Sequence, residues 1–326
     1  MTSLRNERTS PEVRIGISRC LLGEEVRYDG GHKRDEFITK VLGKHFIWVP
    51  LCPEMEIGLG SPRESMKLLE ANDDVHLVTN ETGRDFTRKM NRYASSQTKQ
   101  LAKEDLHGFI LKKDSPSCGI LNVKMYQADG SFQKKGRGLF AEALLNRLPN
   151  LPVEDEERLH DLSIRENFIE RIFAYFRWTQ FLKSNPRKAE FISFHTRQKM
   201  AILAHSRTHY QKLGQLVAQA EKISKSTLDK YESIYMDAFK QLATNKKHTN
   251  VLYHLAGHFK KNLDGSNKAG LIKCIEEYRN GHTPLSVPVQ LLQHHSKQNA
   301  SRWLLEQSYL NPYPAEVTLL LERATK

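Results

Sequence analysis

Three cysteines, far apart in the chain and set in similar surroundings, carry most of the chemistry this sequence offers. Cys20, Cys52 and Cys118 occur in RIGISRCLLG, FIWVPLCPEMEIG and FILKKDSPSCG. Each follows an apolar, strand-like run directly or within a few residues, in a loop that holds Gly, Pro or Ser. In a parallel sheet such positions all fall at the carboxyl edge, where open α/β sheets build their sites. Thiols from distant stretches could thus meet and share a metal. The plainer reading is three small apolar residues, because free cysteine is among the most buried residue types. Placement in loops favours the shared site.

The donor set narrows the metal. Structural zinc takes four ligands, usually from CxxC pairs, and the sequence has no such pair. His32 is available to complete a Cys3His set, although no spacing demands it. All-thiolate ligation also suits iron–sulfur clusters, and a [4Fe-4S] cluster on three cysteines leaves one iron open as a Lewis acid. The CxxxCxxC spacing of radical enzymes that use S-adenosylmethionine is absent. Glu54, two residues after Cys52, is either a general acid–base group or a solvated surface acid. RYDGGHK (Arg27 to Lys33) is a glycine-pair turn that either brings Asp29 and Lys33 over the site or is a turn only. Arg63 suits a phosphate or a base edge, or else an ion pair with Glu64 or Glu70. Lys112, Lys113, Lys134, Lys135 and Arg137 form a basic rim or are solvated loop charges.

These residues need elements to position them. Val13 to Ser18, Phe46 to Leu51, Val75 to Val78 and Gly108 to Lys112 read as strands. Asp35 to Leu42, Arg84 to Leu106 and Leu139 to Leu148 read as helices. The longest of these has Phe86, Met90, Tyr93, Ala94, Gln97 and Leu101 on one face, with only Gln97 breaking the apolar stripe. Strand–helix alternation of this kind predicts an α/β fold, a layered N-terminal domain with a largely parallel sheet. The segment PNLPVEDEER, residues 149–158, reads as a surface connection. Beyond it, Ser163 and Glu166 fit a capping box, and Ile164, Phe168, Ile169, Ile172, Phe173, Phe176 and Phe181 make a core-facing stripe. Asn185-Pro186 ends that helix, and helical periodicity then dominates to about Tyr278. We therefore expect an α/β domain over residues 1–155 and an all-α domain over 156–326.

Charge divides the chain in the same way. Its 326 residues favour two domains. Residues 1–160 carry 25 Lys and Arg against 24 Asp and Glu, whereas residues 161–326 carry 25 against 14, so nearly all of the net +12 lies in the second half. Such asymmetry points to a polyanionic partner, most simply nucleic acid. Residues 187–212 hold Arg187, Lys188, Arg197, Lys199, Arg207 and Lys212 against the single acid Glu190. His195–Lys199 and His205–His209 are i, i+4 pairs, each able to share a helix face along a phosphate backbone. Phe194 and Tyr210 are expected to pack inward. His254 and His258 share the spacing of a metal pair but lack a third ligand, which favours structural or phosphate-contact roles. The N-terminal MTSLRNERTS has no apolar signal-peptide region, and no apolar run approaches the roughly 20 residues of a membrane span. Four cysteines are too few for a disulfide scaffold, so the expected location is the reducing cytoplasm.

RCLLGEEVRYDGGHK, PLCPEMEIGLGSPR and DSPSCG, in this order, resemble the thiouracil desulfidase family over about residues 12–150. The stretch from about 185 to 305 resembles a helical domain long of unknown function, and the tandem is similar to tRNA 4-thiouridine desulfidases. The resemblance implies a [4Fe-4S] cluster on Cys20, Cys52 and Cys118, a catalytic carboxylate at Glu54 and a catalytic serine at Ser115, with Ser117 a competing candidate. It also implies hydrolytic loss of sulfur from C4 of 4-thiouridine in tRNA, giving uridine and hydrosulfide without net redox change. Arg197, Lys199, Arg207 and Lys212 are the expected tRNA contacts, and no membrane or obligatory protein partner is called for. Cys274 lies outside these motifs and reads as a core thiol. Two other readings stand beside this one: a desulfidase of free thiolated nucleobases such as 4-thiouracil, and a non-enzymatic, zinc-containing nucleic-acid-binding protein.

Overall fold

The computed structural model describes residues 12–71, 74–260, 262–299, 302–314 and 316–317. The polar run MTSLRNERTS lies outside them. Contacts divide the chain into two compact units, the first ending at Phe168 and the second beginning at Ile169.

The first unit is built on a parallel sheet of β1 (Arg14–Ser18), β2 (Ile47–Leu51), β5 (Leu106–Leu111) and β8 (Val153–Asp155), in the order β2-β1-β5-β8. The chain leaves β1 to one side for β2 and crosses to the other side for β5, so the sheet has a topological switch point beside β1. Val13, Ile15, Ile17, Phe109, Ile110 and Leu111 are buried in it. Gly16 is required on β1, because a Cβ there would sit 2.3 Å from the Phe109 ring. A short helix α1 (Pro53–Glu56) follows β2, and α2 (Thr87–Leu101) and α3 (Leu139–Arg147) supply further helical cover.

Other features of this unit depart from expectation. Val75 to Val78 lies in β4 (Asp74–Thr79) of a second sheet with β3 (Met66–Ala71), β6 (Val123–Tyr126) and β7 (Phe132–Gly136), ordered β4-β3-β6-β7. That sheet is mostly antiparallel, and β7 is largely exposed, so its strands lack a continuous apolar run. Asp35 to Leu42 is not a regular α-helix but a π-turn over Phe37–Val41 running into a 3-10 turn over Leu42–Lys44. On α2 the buried face is Met90, Ala94, Thr98 and Leu101. Thr98 hides its hydroxyl on the Ala94 carbonyl at 2.7 Å, which makes it fit where a polar residue was not expected. The supposed surface connection contains β8, with Glu154 and Asp155 buried and Arg158 pairing with Glu154 at 2.6 Å. The unit boundary consequently falls beyond it, inside α4 (Leu162–Lys183). Ser163 lies within that helix. The first turn is capped instead by Asp161, whose carboxylate accepts from the Ile164 amide at 3.0 Å.

The second unit is helical among its described residues: α5 (Lys188–His205), α6 (Arg207–Gln219), α7 (Lys225–Phe239), α8 (Asn245–Ala256), α9 (Gly265–Arg279), α10 (Ser286–Gln298) and α11 (Arg302–Leu305). Ser206, Ser224, Thr244 and Asp264 cap α6 to α9 with side-chain oxygens. Its core is aromatic. Trp178 stacks on Tyr231 at 5.1 Å between centroids and lies against Phe181 and Phe194 at 5.3 and 5.4 Å. No described helix is long and apolar enough to cross a membrane.

Histidines of this unit turn inward. His195 is buried, its Nδ1 3.0 Å from the Tyr231 hydroxyl, and burial holds its pKa down at about 4. His205 is also buried, with Nδ1 2.6 Å from the Gln241 carbonyl and Nε2 3.1 Å from Glu170, an ion-pair contact without an aligned hydrogen bond. Burial works against the His205 cation, but the Glu170 carboxylate outweighs it and the pKa is raised. Burial likewise opposes ionised Glu170, and His205 outweighs it, so that carboxyl is lowered. The raised imidazole contributes stability that is lost as pH rises through its folded pKa. The lowered carboxylate contributes stability that is lost as pH falls through its folded pKa. The pair therefore contributes its full stability between the ordinary carboxylate value of about 4.3 and the ordinary imidazole value of about 6.5, and that contribution falls away as pH rises from there through the folded imidazole pKa. In thermal melts across pH, His205→Gln should lower Tm and flatten the alkaline flank. An unchanged alkaline flank would mean the pair is energetically silent.

Candidate active site

The three adjacent parallel strands β2, β1 and β5 each deliver a cysteine at their carboxyl ends. Cys20 sits in the 3-10 turn after β1, Cys52 caps α1 after β2, and Cys118 lies in the DSPSCG turn after β5. All three are free thiols lining one cavity of about 560 Å³, together with Arg27, Tyr28, Lys33, Glu54, Arg63, Lys112 and Ser115.

Local structure fixes each thiol. The Cys20 carbonyl accepts from the Lys33 amide at 2.9 Å, tying the glycine-pair turn to the first cysteine. The Cys52 carbonyl accepts from Glu56 at 3.0 Å in the first turn of α1. The turn around Cys118 rests on the start of α3, where the Phe140 and Ala141 amides donate to the Ser117 carbonyl at 3.0 and 3.2 Å. Only glycine fits at position 138, because a Cβ there would lie 2.4 Å from the Ser117 backbone.

Burial raises the pKa of all three thiols. Cys20 is pushed up to about 12 by burial and then by Cys52. Cys118 is driven well above the ordinary thiol range by burial, Cys52, Glu54 and Cys20. Cys52 is also raised by burial, opposed by backbone N–H groups of Met55 and Glu54 and by Arg63. Among the described residues, no three His, Cys, Asp or Glu side chains converge closely enough for a single metal ion.

Glu54 is not a solvated surface acid. Its side chain is 14% exposed and pairs with Arg63, which is 7% exposed. Arg63 Nε donates to Glu54 Oε2 at 3.0 Å, and Nη2 donates to the same oxygen. Arg63 Nη1 donates to the Val26 carbonyl at 3.0 Å and to the Gly60 carbonyl, and the Arg63 amide donates to the Tyr28 carbonyl at 2.8 Å. The arginine therefore stitches the glycine-pair turn to the Cys52 loop, and the expected pairing with Glu64 or Glu70 is replaced by Glu54. Glu64 instead accepts from Thr82 at 2.7 Å, and Glu70 pairs with Lys135 at 2.8 Å.

The two serines divide their work. Ser117 is fully buried and donates from Oγ to Glu54 Oε1 at 2.9 Å. Ser115 lines the cavity, and its Oγ accepts from the Ser117 and Cys118 amides at 3.2 and 3.1 Å. Both acceptor contacts leave its O–H proton free to donate.

Other candidates scatter. Lys33 lines the cavity and Asp29 does not; Asp29 is held by Arg27 and the Gly31 amide. Lys112 and Lys113 line the cavity but pair with Glu156 and Glu157. Lys135 and Arg137 pair with Glu70 and Glu142 and, with Lys134, are not cavity residues. Tyr28, 46% exposed at the cavity with Arg27 over its ring at 5.3 Å, was missed from sequence. Its signal was an aromatic residue inside the glycine-pair motif. In the helical unit, Arg197, Arg207 and Lys212 are exposed, whereas Lys199 lies over the Trp303 ring at 4.9 Å. Arg197 and Lys199 are two residues apart on α5 and point to opposite sides, so they form no single stripe. His195 and His205 are buried in the core and present no phosphate-facing imidazole. Phe194 and Tyr210 pack inward, and His254 and His258 lie near each other on the surface, with His258 4.2 Å from Trp303 between centroids. Cys274 is a buried thiol of α9.

Removing Arg63 leaves Glu54 buried without its cation, a change that costs roughly 3–5 kcal/mol in comparable pairs. Urea unfolding of Arg63→Ala should show a loss of that order, with Arg63→Lys intermediate because an ammonium cannot reproduce the fork of contacts. An Arg63→Ala protein as stable as the parent would remove the arginine from its structural role.

Residues 15–156 match the family described as 2-thiouracil desulfurase, and residues 199–314 match one described as protein of unknown function (DUF1722). Uncharacterized protein YbgA of Escherichia coli (strain K12) is 31% identical over 153 residues, covering 46% of this chain and 89% of that protein. Uncharacterized protein YbbK of Bacillus subtilis (strain 168) is 32% identical over 156 residues, covering 45% of this chain and 99% of that protein. A solved structure of the [4Fe-4S]-dependent thiouracil desulfidase TudS is 30% identical with a TM-score of 0.37, covering 46% of this chain and 95% of its own. The three cysteines, Glu54 and Ser115 all lie within the first matched stretch, and over it the chain belongs to the 2-thiouracil desulfurase family, continued by a DUF1722 domain.

Proposed function

We propose that this chain removes sulfur from 4-thiouridine in tRNA, leaving uridine and releasing hydrosulfide, with a [4Fe-4S] cluster held by Cys20, Cys52 and Cys118. The observation that carries this reading is the meeting of three free thiols and a fixed carboxylate, Glu54, on one cavity at the sheet's carboxyl edge. The donor set suits a cluster better than a single zinc ion. When bound, the cluster supplies a Lewis-acidic iron with an affinity for soft sulfur.

The chain's own groups do the rest. Replacing sulfur by oxygen at C4 needs water as nucleophile, and a proton must leave that water as the C–O bond forms. Arg63 occupies Glu54 Oε2, and Ser117 holds Oε1 by a single hydrogen bond, leaving Oε1 a lone pair to take that proton. Ser115 Oγ has its O–H free to orient the water or to donate to the departing sulfur. Tyr28 offers a ring for an extruded base to stack on, and Lys33 a cation for its phosphate. A base buried in a folded RNA must leave its stack to enter. The basic residues Arg197, Lys199, Arg207 and Lys212 would hold the phosphates of the same RNA.

Because burial keeps the empty-site thiols protonated, cluster loading must expel protons. Anaerobic reconstitution should be faster at about pH 8.5 than at about pH 6.5, with acid release measurable in a pH-stat. Serine at Cys20, Cys52 or Cys118 should abolish iron and sulfide retention, and Cys274→Ser should not.

Nucleoside analysis of thiolated tRNA after treatment with loaded protein should show 4-thiouridine replaced by uridine. Glu54→Gln should retain the cluster and lose about 10²–10⁴-fold in rate. Alanine at Arg197, Lys199, Arg207 and Lys212 together should weaken tRNA binding and reduce its salt dependence. It should spare desulfuration of free 4-thiouracil. Turnover of the free base alone, with tRNA untouched, would transfer the reading to a free-nucleobase desulfidase.

A further inference from the structure

The second sheet of the α/β unit, β4-β3-β6-β7, buries Leu68, Leu77, Val123 and Met125 on one face. Side chains alternate across a strand, so the pairing register fixes which residues share the opposite face. Tyr126 pairs with Phe132 across β6 and β7, and Lys124 with Lys134. On β3, Leu69 pairs with Tyr126, which sets Lys67, two residues earlier, beside Lys124. Two rows therefore cross three neighbouring strands: Lys67, Lys124 and Lys134 in one, Leu69, Tyr126 and Phe132 in the other. Ring contacts agree with that placement. Tyr126 and Phe132 lie 5.4 Å apart between centroids, Lys67 Nζ is 5.3 Å from the Tyr126 ring centroid, and Lys124 Nζ is 4.7 Å from that of Phe132. Phe132 is 46% exposed, Lys124 and Lys134 are exposed, and none of these residues lines the cysteine cavity.

The needs of the sheet do not account for this face. Lysine on an edge strand blocks edge-to-edge pairing, which explains Lys134 on β7 but not Lys67 and Lys124 on the interior strands β3 and β6. Residues 1–160 are nearly neutral, so three like charges in a row are a local segregation. Among the described residues none of the three lysines forms an ion pair. Acids around the sheet are engaged elsewhere: Glu70 with Lys135 and Gln127, Asp129 with Ser131, Asp85 with His76. Asp74 stands on β4, at the opposite edge. Two of the lysines rest instead on ring faces, a contact that is weak where solvent reaches it.

Unpaired cations beside an exposed ring on adjacent strands suit single-stranded nucleic acid, whose phosphates need charge and whose unpaired bases need a surface to stack on. A duplex keeps its bases inside and has no use for the ring. We propose that this face binds an unpaired stretch of RNA, its phosphates on Lys67, Lys124 and Lys134 and a base stacked on Phe132. Lys124 leaves the Phe132 ring for a phosphate as the base takes its place. The inference concerns the α/β unit by itself and needs neither the cluster nor desulfidase activity.

Binding is measured on the full chain without cluster loading, so that its failure is separate from failure of the proposed reaction. The probe is a labelled single-stranded RNA of about 12 nucleotides carrying 5-iodouridine, compared with the same RNA in duplex. Fluorescence anisotropy should show the single strand bound more tightly. Irradiation should cross-link it to Phe132 or Tyr126, as read by mass spectrometry of the peptides. Phe132→Ala should weaken binding roughly five- to a hundredfold, the span for one lost stacked base. Phe132→Trp should keep it, and Tm should stay near the parent value in both, because the ring is exposed. Glutamine at Lys67, Lys124 and Lys134 together should reduce the slope of log affinity against log salt by about 2, at about 0.7 for each phosphate of a single strand. These substitutions leave the cations of the helical unit in place, so their effect reports this face. Cross-links confined to the helical unit, duplex held as tightly as single strand, or binding and salt slope unmoved by the substitutions would each overturn the proposal. Vesicles of phosphatidylserine that bind the chain with the same dependence on Phe132 and the lysines would also overturn it, assigning the face to a membrane surface.

Discussion

The contact between Arg63 and Glu54 is the constraint on which the cysteine cavity depends. Two charges withdrawn from water are costly unless each finds full compensation. Here guanidinium Nη1 donates to the Val26 and Gly60 carbonyls, and the carboxylate gains a further bond from Ser117. Those partners come from the glycine-pair turn, the loop after α1 and the DSPSCG turn. One ion pair therefore sets the spacing of three loops, each of which carries or adjoins a cysteine. The same contacts that hold the cavity together fix the position of the Glu54 carboxylate.

The thiols bring a second constraint. Buried sulfur is tolerated as a neutral thiol, and burial opposes the thiolate in all three cases. A bound iron–sulfur cluster would reverse that preference by stabilising the thiolates. The lining cations Lys112 and Arg27 work against the rise at Cys20. The β2-β1-β5 arrangement makes this possible, since neighbouring parallel strands end in register and deliver their loops side by side.

The helical unit is held by a different economy. Its core is a stack of aromatic rings around Trp178, threaded by polar groups that find partners inside: His195 on Tyr231, His205 on Glu170, Arg177 on Gln198. Two histidines that look like part of a phosphate-binding face in sequence, His195 and His205, are internal struts. Arg197, Arg207 and Lys212 remain exposed and keep their charge available. Electrostatic attraction of a polyanion requires only accessible charge, whereas recognition requires placed groups.

Much of this was legible from the chain alone, for identifiable reasons. Apolar runs before Cys20, Cys52 and Cys118 marked three strands of one parallel sheet; β1 and β5 are apolar because they are buried in its interior, whereas β2 is its partly exposed edge. Local spacing likewise determined the long helices and the change to an all-α half. What sequence could not supply were relations between residues distant in the chain. Glu54 and Ser117 are separated by 63 positions and His205 and Glu170 by 35, and no periodicity reports either pair. The second sheet escaped because its short strands alternate or lie exposed, and β8 escaped because its acids read as solvent-facing until Arg158 and the neighbouring backbone satisfied them. Sequence determined which groups the protein owns and which elements carry them. Only tertiary structure decided which are desolvated and which are paired, since burial and partnership are properties of the folded neighbourhood and not of the residue.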